Sequence, residues 1–181
     1  MAKLVSKTYG EALFELAVEE GKEDELLTEI EALRTILGEN PDFGKLMNHP
    51  KILKEEKLEV LEQVFKGRVS DELKGFLYLV VSKDRYGEIE EILDYFVNAV
   101  KNLKGIGIAY VTTAIHLTEA KKKEIESKLL TTTSYQKMEM HFSVDENLIG
   151  GMVIRIGDRV VDSSIQTSLL EMRKQLLKVN V

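Results

Sequence analysis

The chain has 181 residues, 44% of them hydrophobic, no cysteine and a formal net charge of −6. That is enough apolar material for one medium domain or two small ones, and the missing cysteine excludes disulfide frameworks, thiolate metal sites and thiol nucleophiles. Residues 1–104 carry 15 Lys+Arg against 22 Asp+Glu, a net −7, while residues 105–181 carry 10 against 9, a net +1, and an acidic first half argues against a nucleic-acid or anionic-membrane surface there.

The first half reads as six amphipathic helices, over about 4–20, 23–38, 42–48, 54–66, 70–84 and 88–104, broken at Gly21, Gly38 to Asp42, His49-Pro50, Gly67 to Ser70 and Gly87. The sixth carries Lys101 and Lys104 in its last turn and meets Gly105, the chemistry of a helix end. A domain boundary is therefore expected there, dividing 1–104 from 105–181. The second helix (Leu26, Leu27, Ile30, Leu33, Leu37) and the sixth (Ile89, Ile92, Leu93, Phe96, Val100, Leu103) each have one apolar stripe. The first has a stripe of Val5, Tyr9, Ala12, Leu13 and Leu16, with Phe14 and Val18 on another side. The fifth has Leu73, Phe76, Leu77 and Val80, with Tyr78, Leu79 and Val81 spread around it. A helix apolar on more than one side is either central or offers a second face to a partner, and the residues leave both readings open.

After Gly105 the period changes. Ile106, Ile108 and Tyr110 alternate with Gly107 and Ala109 as a strand, Thr118 caps a helix to about Leu130, and Met138, Met140, Phe142 and Val144 alternate as a second strand. Met152, Ile154 and Ile156 make a third, and Gly157-Asp158 is a two-residue hairpin turn into a short strand from Arg159 to Val161. Ser163-Ser164-Ile165-Gln166 reads as a capping box with Ser163 as the cap. In the helix it opens, Ile165, Leu169, Met172 and Leu176 form a stripe expected to face the hairpin, with Glu171, Arg173 and Lys174 in water. Gly150-Gly151 predicts a bulge or a close backbone approach. Two helices on a sheet of three or four strands make a small α+β domain, the simplest packing that buries these stripes.

No catalytic, cofactor or metal constellation is visible. His49, His116 and His141 fall in different elements without ligand spacing, Asp162-Ser163 is explained by capping, and neither Gly105-Ile106-Gly107 nor Gly150-Gly151 has the flanks of a phosphate loop. The one basic cluster, Lys121-Lys122-Lys123, spreads around a helix as solvated charge. No run of about 20 apolar residues could span a bilayer, and no import or secretion signal opens the chain.

Leu148-Ile149-Gly150-Gly151, Ile154-Arg155-Ile156-Gly157-Asp158 and Asp162-Ser163 together resemble the C-terminal signature of the delta subunits of F-type ATP synthases, the oligomycin-sensitivity-conferring protein family. Tyr9 to Ala17 and Phe76 to Arg85 resemble the family's first- and fifth-helix motifs. The resemblance implies an α+β protein with an N-terminal six-helix bundle, whose first and fifth helices bind the N-terminal segment of a catalytic-head alpha subunit. Tyr9, Ala12, Leu13, Leu77 and Leu79 are the candidates for that groove. It also implies a C-terminal domain that binds the b subunits of the peripheral stalk. The chain would be a non-catalytic stator without cofactor, metal, nucleic acid or small-molecule substrate, at the cytoplasmic face of a bacterial membrane. Two alternatives stay open on the residues alone: a small acidic enzyme doing acid-base work in a cleft, and a two-domain adaptor with unrelated partners.

Overall fold

The computed structural model describes residues 2–178, and side chains from 5 to 177. The chain divides into two compact units, Met1–Val100 and Lys101–Val181.

The first unit is helical: α1 (Ala2–Glu20), α2 (Glu23–Glu39), α3 (Pro41–Met47), α4 (Lys54–Phe65), α5 (Asp71–Ser82) and α6 (Ile89–Leu103), whose last turn opens the second unit. Local chemistry sets the ends. Gly21 takes φ +65° after α1, where only glycine is unstrained. Ser70 caps α5, its hydroxyl oxygen accepting from the Leu73 amide at 3.3 Å while its own hydroxyl donates to Glu29 Oε2 at 2.7 Å. The core gathers Leu26, Ile30 and Leu33 of α2, Leu61 and Phe65 of α4, Leu73, Leu77 and Val80 of α5, and Ile92, Leu93, Phe96 and Val100 of α6.

α1 packs by a different stripe from the one its large residues suggest. The buried positions are Ser6, Gly10, Leu13 and Ala17, while Val5, Tyr9 and Leu16 are half-buried and Ala12 is exposed. The reason is close approach to α6. A Cβ on Gly10 would lie 2.6 Å from Tyr95 Cδ1, and the Ser6 hydroxyl donates to Glu91 Oε2 at 2.8 Å. Small residues face the neighbour, and the larger ones are pushed to the flanks.

The second unit holds β1 (Ile106–Thr113), α7 (Glu119–Thr132), β2 (Lys137–Val144), β3 (Met152–Ile156), β4 (Arg159–Asp162) and α8 (Ile165–Lys178). The sheet order is β2-β1-β3-β4, with β1 and β2 parallel across α7 and the other pairs antiparallel. Thr118 caps α7, and Gly157 turns the β3–β4 hairpin at φ +57°.

Two expectations are corrected here, and the alternation of β1 is resolved. On β1 the buried face is Gly107, Ala109, Val111 and Thr113, while Ile106 and Ile108 are half-buried and Tyr110 is exposed. A Cβ on Gly107 would lie 2.6 Å from the Tyr135 ring and 2.8 Å from Met138 Sδ, so the crowded side of this central strand takes the small residues. The cap of α8 is Ser164, not Ser163: Ser164 Oγ accepts from the Thr167 amide at 3.2 Å, whereas the Ser163 hydroxyl donates to the Met152 carbonyl at 3.0 Å. The stripe of α8 does not lie against the hairpin. Ile165, Leu169, Met172 and Leu176 are 46%, 52%, 59% and 69% exposed, because α8 is held at its first turn, where the Ile165 amide donates to the Gly150 carbonyl at 3.0 Å, and not along its length.

Candidate partner-binding surfaces

On the first unit the five candidate groove residues divide into two layers. Leu13 of α1 and Leu77 of α5 are in the core. Tyr9 is half-buried at the edge of that core, Ala12 is exposed, and Leu79 is 45% exposed. Of the set, Tyr9, Ala12 and Leu79 are thus reachable from solvent, and Leu13 and Leu77 are not. The ends of these helices are linked by Lys22, just after α1, which ion-pairs Glu72 in the first turn of α5 and Glu20 at 3.0 Å. That contact holds the Glu72 carboxyl down at about 2.

One exposed residue of α5 is not singled out by the sequence reading. Gly75 sits four positions before Leu79 and is exposed, and a Cβ built on it would meet no atom within 4 Å. A helix-interior glycine costs about 1 kcal/mol relative to alanine. Gly10 offsets that cost by admitting Tyr95; Gly75 has no such reason within its own fold. Its signal was present in the sequence as a glycine in mid-helix with no break around it.

The second unit carries more uncovered apolar surface. Beside the α8 stripe, Leu170 and Leu177 of α8 and Val160 and Val161 of the edge strand β4 are exposed. The signature residues lie at the base of α8. Gly151 has φ +78°, and a Cβ there would lie 2.2 Å from the Ser163 carbonyl oxygen; one on Gly150 would lie 2.6 Å from Ile165 Cδ1. Asp162 Oδ1 accepts from the Ser164 amide at 2.8 Å and Oδ2 from the Thr167 hydroxyl at 2.8 Å. These donors, the Ser164 amide first, hold its carboxyl below the usual range. Gly157 and Asp158 form the hairpin turn. The signature is thus the joint that launches α8 from the sheet.

The opposite face of the sheet is polar and interlocked. His141 stacks on Tyr110 with ring centroids 5.0 Å apart, the Arg155 guanidinium lies 4.9 Å from the same ring, and His141 Nε2 is 3.1 Å from Glu139 Oε1. Lys101 Nζ reaches Glu139 Oε2 at 2.7 Å and lowers its carboxyl. Tyr110 with His141 and with Arg155 are cross-strand pairs, while the Glu139 contacts run along β2 and to the end of α6. Among the described residues no group of three or more His, Asp or Glu could hold a metal ion, and no helix is long and apolar enough to cross a membrane.

An α+β chain of two units, each presenting uncovered apolar surface, defines a protein of the interaction class. Comparisons with known proteins make that specific. The ATP synthase delta (OSCP) subunit family matches residues 5–176. The ATP synthase subunit delta of Lachnoclostridium phytofermentans is 51% identical over 181 residues, covering 100% of both chains. Those of Alkaliphilus oremlandii and Enterococcus hirae are 33% and 32% identical, covering 100% and 95% of each chain. Among solved structures, a chain of the Toxoplasma gondii mitochondrial ATP synthase hexamer superposes with a TM-score of 0.78 at 20% identity, covering 95% of this chain and 97% of that one, which shows the shared fold. The chain belongs to the ATP synthase delta (OSCP) subunit family. It is a non-catalytic stator component of the rotary synthase, on the peripheral-stalk side of the machine.

Proposed function

We propose that each unit grips one side of the stator joint. The helical first unit is a six-helix bundle that takes an amphipathic helix, the N-terminal segment of a head alpha subunit, across Tyr9, Ala12 and Leu79, with Leu13 and Leu77 as the floor. Gly75 lets that helix come close. The second unit takes the b subunits of the peripheral stalk on the α8 stripe. Ion flow turns the rotor, the head resists only if it is tethered, and a chain held at both ends supplies the tether without making or breaking a bond. The joint sits with the complex at the cytoplasmic face of a bacterial membrane.

The observation that carries this reading is the uncovered apolar stripe of α8. Four residues at helical spacing, each about half exposed or more, would each contribute roughly 0.7–2 kcal/mol on burial of what is still exposed, a bias towards a helical partner. Two substitutions test the two grips separately. Gly75→Leu adds a side chain into open space, so the chain stays folded while its calorimetric affinity for an alpha N-terminal peptide falls at least tenfold. Leu169→Asp leaves that affinity unchanged and weakens binding to a soluble b-subunit fragment by a similar factor. Loss of both activities in either variant, or of neither, overturns the assignment of one partner to each unit.

A further inference from the structure

Among the described residues, the backbone enters the left-handed region at two positions that are not glycine, Asp84 at φ +55° and Ile149 at φ +67°. Aspartate tolerates that conformation, because its short polar side chain can bond locally. A β-branched residue does not: its Cβ crowds the neighbouring carbonyl, and such strain persists only where something else offsets it. Ile149 follows a single 3-10 turn, Glu146–Leu148, and its amide donates to the Glu146 carbonyl at 3.1 Å. The bend has a local purpose. It leads into Gly150, whose carbonyl accepts from the Ile165 amide at 3.0 Å and so fixes the start of α8. Glycine or asparagine at position 149 would make the same bend without the strain.

The joint therefore explains the bend and not the isoleucine. Packing within the fold does not explain it either. Leu148, one residue earlier, is buried, whereas Ile149 is 63% exposed, so most of its surface stays in water. A large apolar side chain that is strained in its backbone and left in solvent points to a partner that covers it. Its place in the chain says which partner. Ile149 directly precedes Gly150, and a Cβ on Gly150 would lie 2.6 Å from Cδ1 of Ile165, the first residue of the exposed α8 stripe. The stripe and Ile149 thus meet at the base of α8, one on the helix and one on the turn that launches it.

We propose that Ile149 is an anchor residue of the stalk interface, covered by the end of the same partner helix that lies along the α8 stripe. The partner is then a helix whose apolar stripe runs on past Ile165 to reach the turn. The proposal rests on the assignment of the α8 stripe to the b subunits, and it adds a residue outside α8 that the turn holds in one place. The strain at Ile149 is stability given up so that an apolar side chain is fixed in solvent before the partner arrives.

The test is calorimetric titration of the full chain with a soluble b-subunit fragment, read beside thermal unfolding. Ile149→Asn suits the left-handed backbone and removes the apolar surface. Its thermal midpoint should stay at or above the parent's while its affinity falls about fivefold or more. Ile149→Val keeps an apolar β-branched side chain and should bind within about threefold of the parent. Undiminished affinity of Ile149→Asn would overturn the proposal. So would a loss of affinity accompanied by a lower midpoint, which would make Ile149 a part of the joint and not an anchor. Leu169→Asp separates the two readings: if it weakens binding and Ile149→Asn does not, the anchor alone fails, whereas if neither weakens it, the assignment of α8 to the stalk fails as well. If Ile149→Asn binds the fragment like the parent but abolishes a concentration-dependent dimer of the parent in sedimentation, a second copy of this chain covers Ile149 and the stalk does not.

Discussion

The signature glycines offer a comparison whose outcome can be worked from geometry. Gly150 and Gly151 are adjacent and both are crowded, yet alanine should be tolerated at one and not at the other. At Gly150 the obstacle is Ile165 Cδ1, 2.6 Å from the new Cβ. That atom is the far end of a flexible side chain which is 46% exposed, so a change of rotamer relieves the clash at about 0.5–1.5 kcal/mol. At Gly151 two costs add. The backbone stands at φ +78°, which costs a residue bearing a Cβ about 1–2 kcal/mol. The Cβ would also lie 2.2 Å from the Ser163 carbonyl oxygen and 3.1 Å from Ser164 Cα. Those atoms are main chain and cannot rotate away. Moving them strains the Ser163 amide bond to the Met152 carbonyl and the Ile165 amide bond to the Gly150 carbonyl, both 3.0 Å, and overpacking of this kind costs about 1–3 kcal/mol. Gly151→Ala should thus destabilise the second unit by about 2–5 kcal/mol, and Gly150→Ala by about 1 kcal/mol. For a cooperative unit of this size each kcal/mol lowers the thermal midpoint by about 4–8 °C. Urea and thermal unfolding of the two variants beside the parent measure this directly. Equal losses in the two variants, or a Gly151→Ala midpoint within a degree of the parent, would refute the argument.

Two further outcomes follow from the same geometry. Gly10→Ala gains about 1 kcal/mol of helix propensity but sets a Cβ 2.6 Å from Tyr95 Cδ1 and 2.9 Å from Tyr95 Cβ; the latter atom cannot swing aside, so α1 and α6 must separate, at about 1–3 kcal/mol. The net expectation is a chain less stable by up to about 2 kcal/mol in urea, and a variant more stable than the parent would falsify the close packing of the two helices. The second concerns acid. The carboxyls of Glu139, held by Lys101, and Asp162, held by the Ser164 amide, are both lowered in the fold. The unfolded chain therefore binds more protons, and the stability these groups lend is complete above their unfolded pKa of about 4 and lost as pH falls through their lower folded values. Thermal midpoints from about pH 6 down to about pH 2 should fall less steeply for Glu139→Gln than for the parent; parallel curves would show that the Lys101 pair contributes nothing.

Much of this protein is legible without its structure. The helices end near their sequence-expected limits because glycines, caps and the apolar period are local signals, written within a few residues of where they act. The hairpin at Gly157-Asp158 is local in the same way, and the close approach expected at Gly150-Gly151 is realised against Ser163 and Ile165. The chemistry of Asp162-Ser163 was assigned to the right role and the wrong neighbour, since two adjacent serines can both cap and only the backbone direction at residue 164 selects one. Periodicity finds a stripe but not what covers it. That is why Ile165, Leu169, Met172 and Leu176 were expected against the hairpin and stand in solvent, and why β1 and α1 turn their small residues inward where neighbours come closest. The sequence by itself determined where each element begins and ends and which residue types line its faces. Which face meets protein and which is left for a partner was decided by tertiary structure alone, because burial depends on distances between residues far apart in the chain.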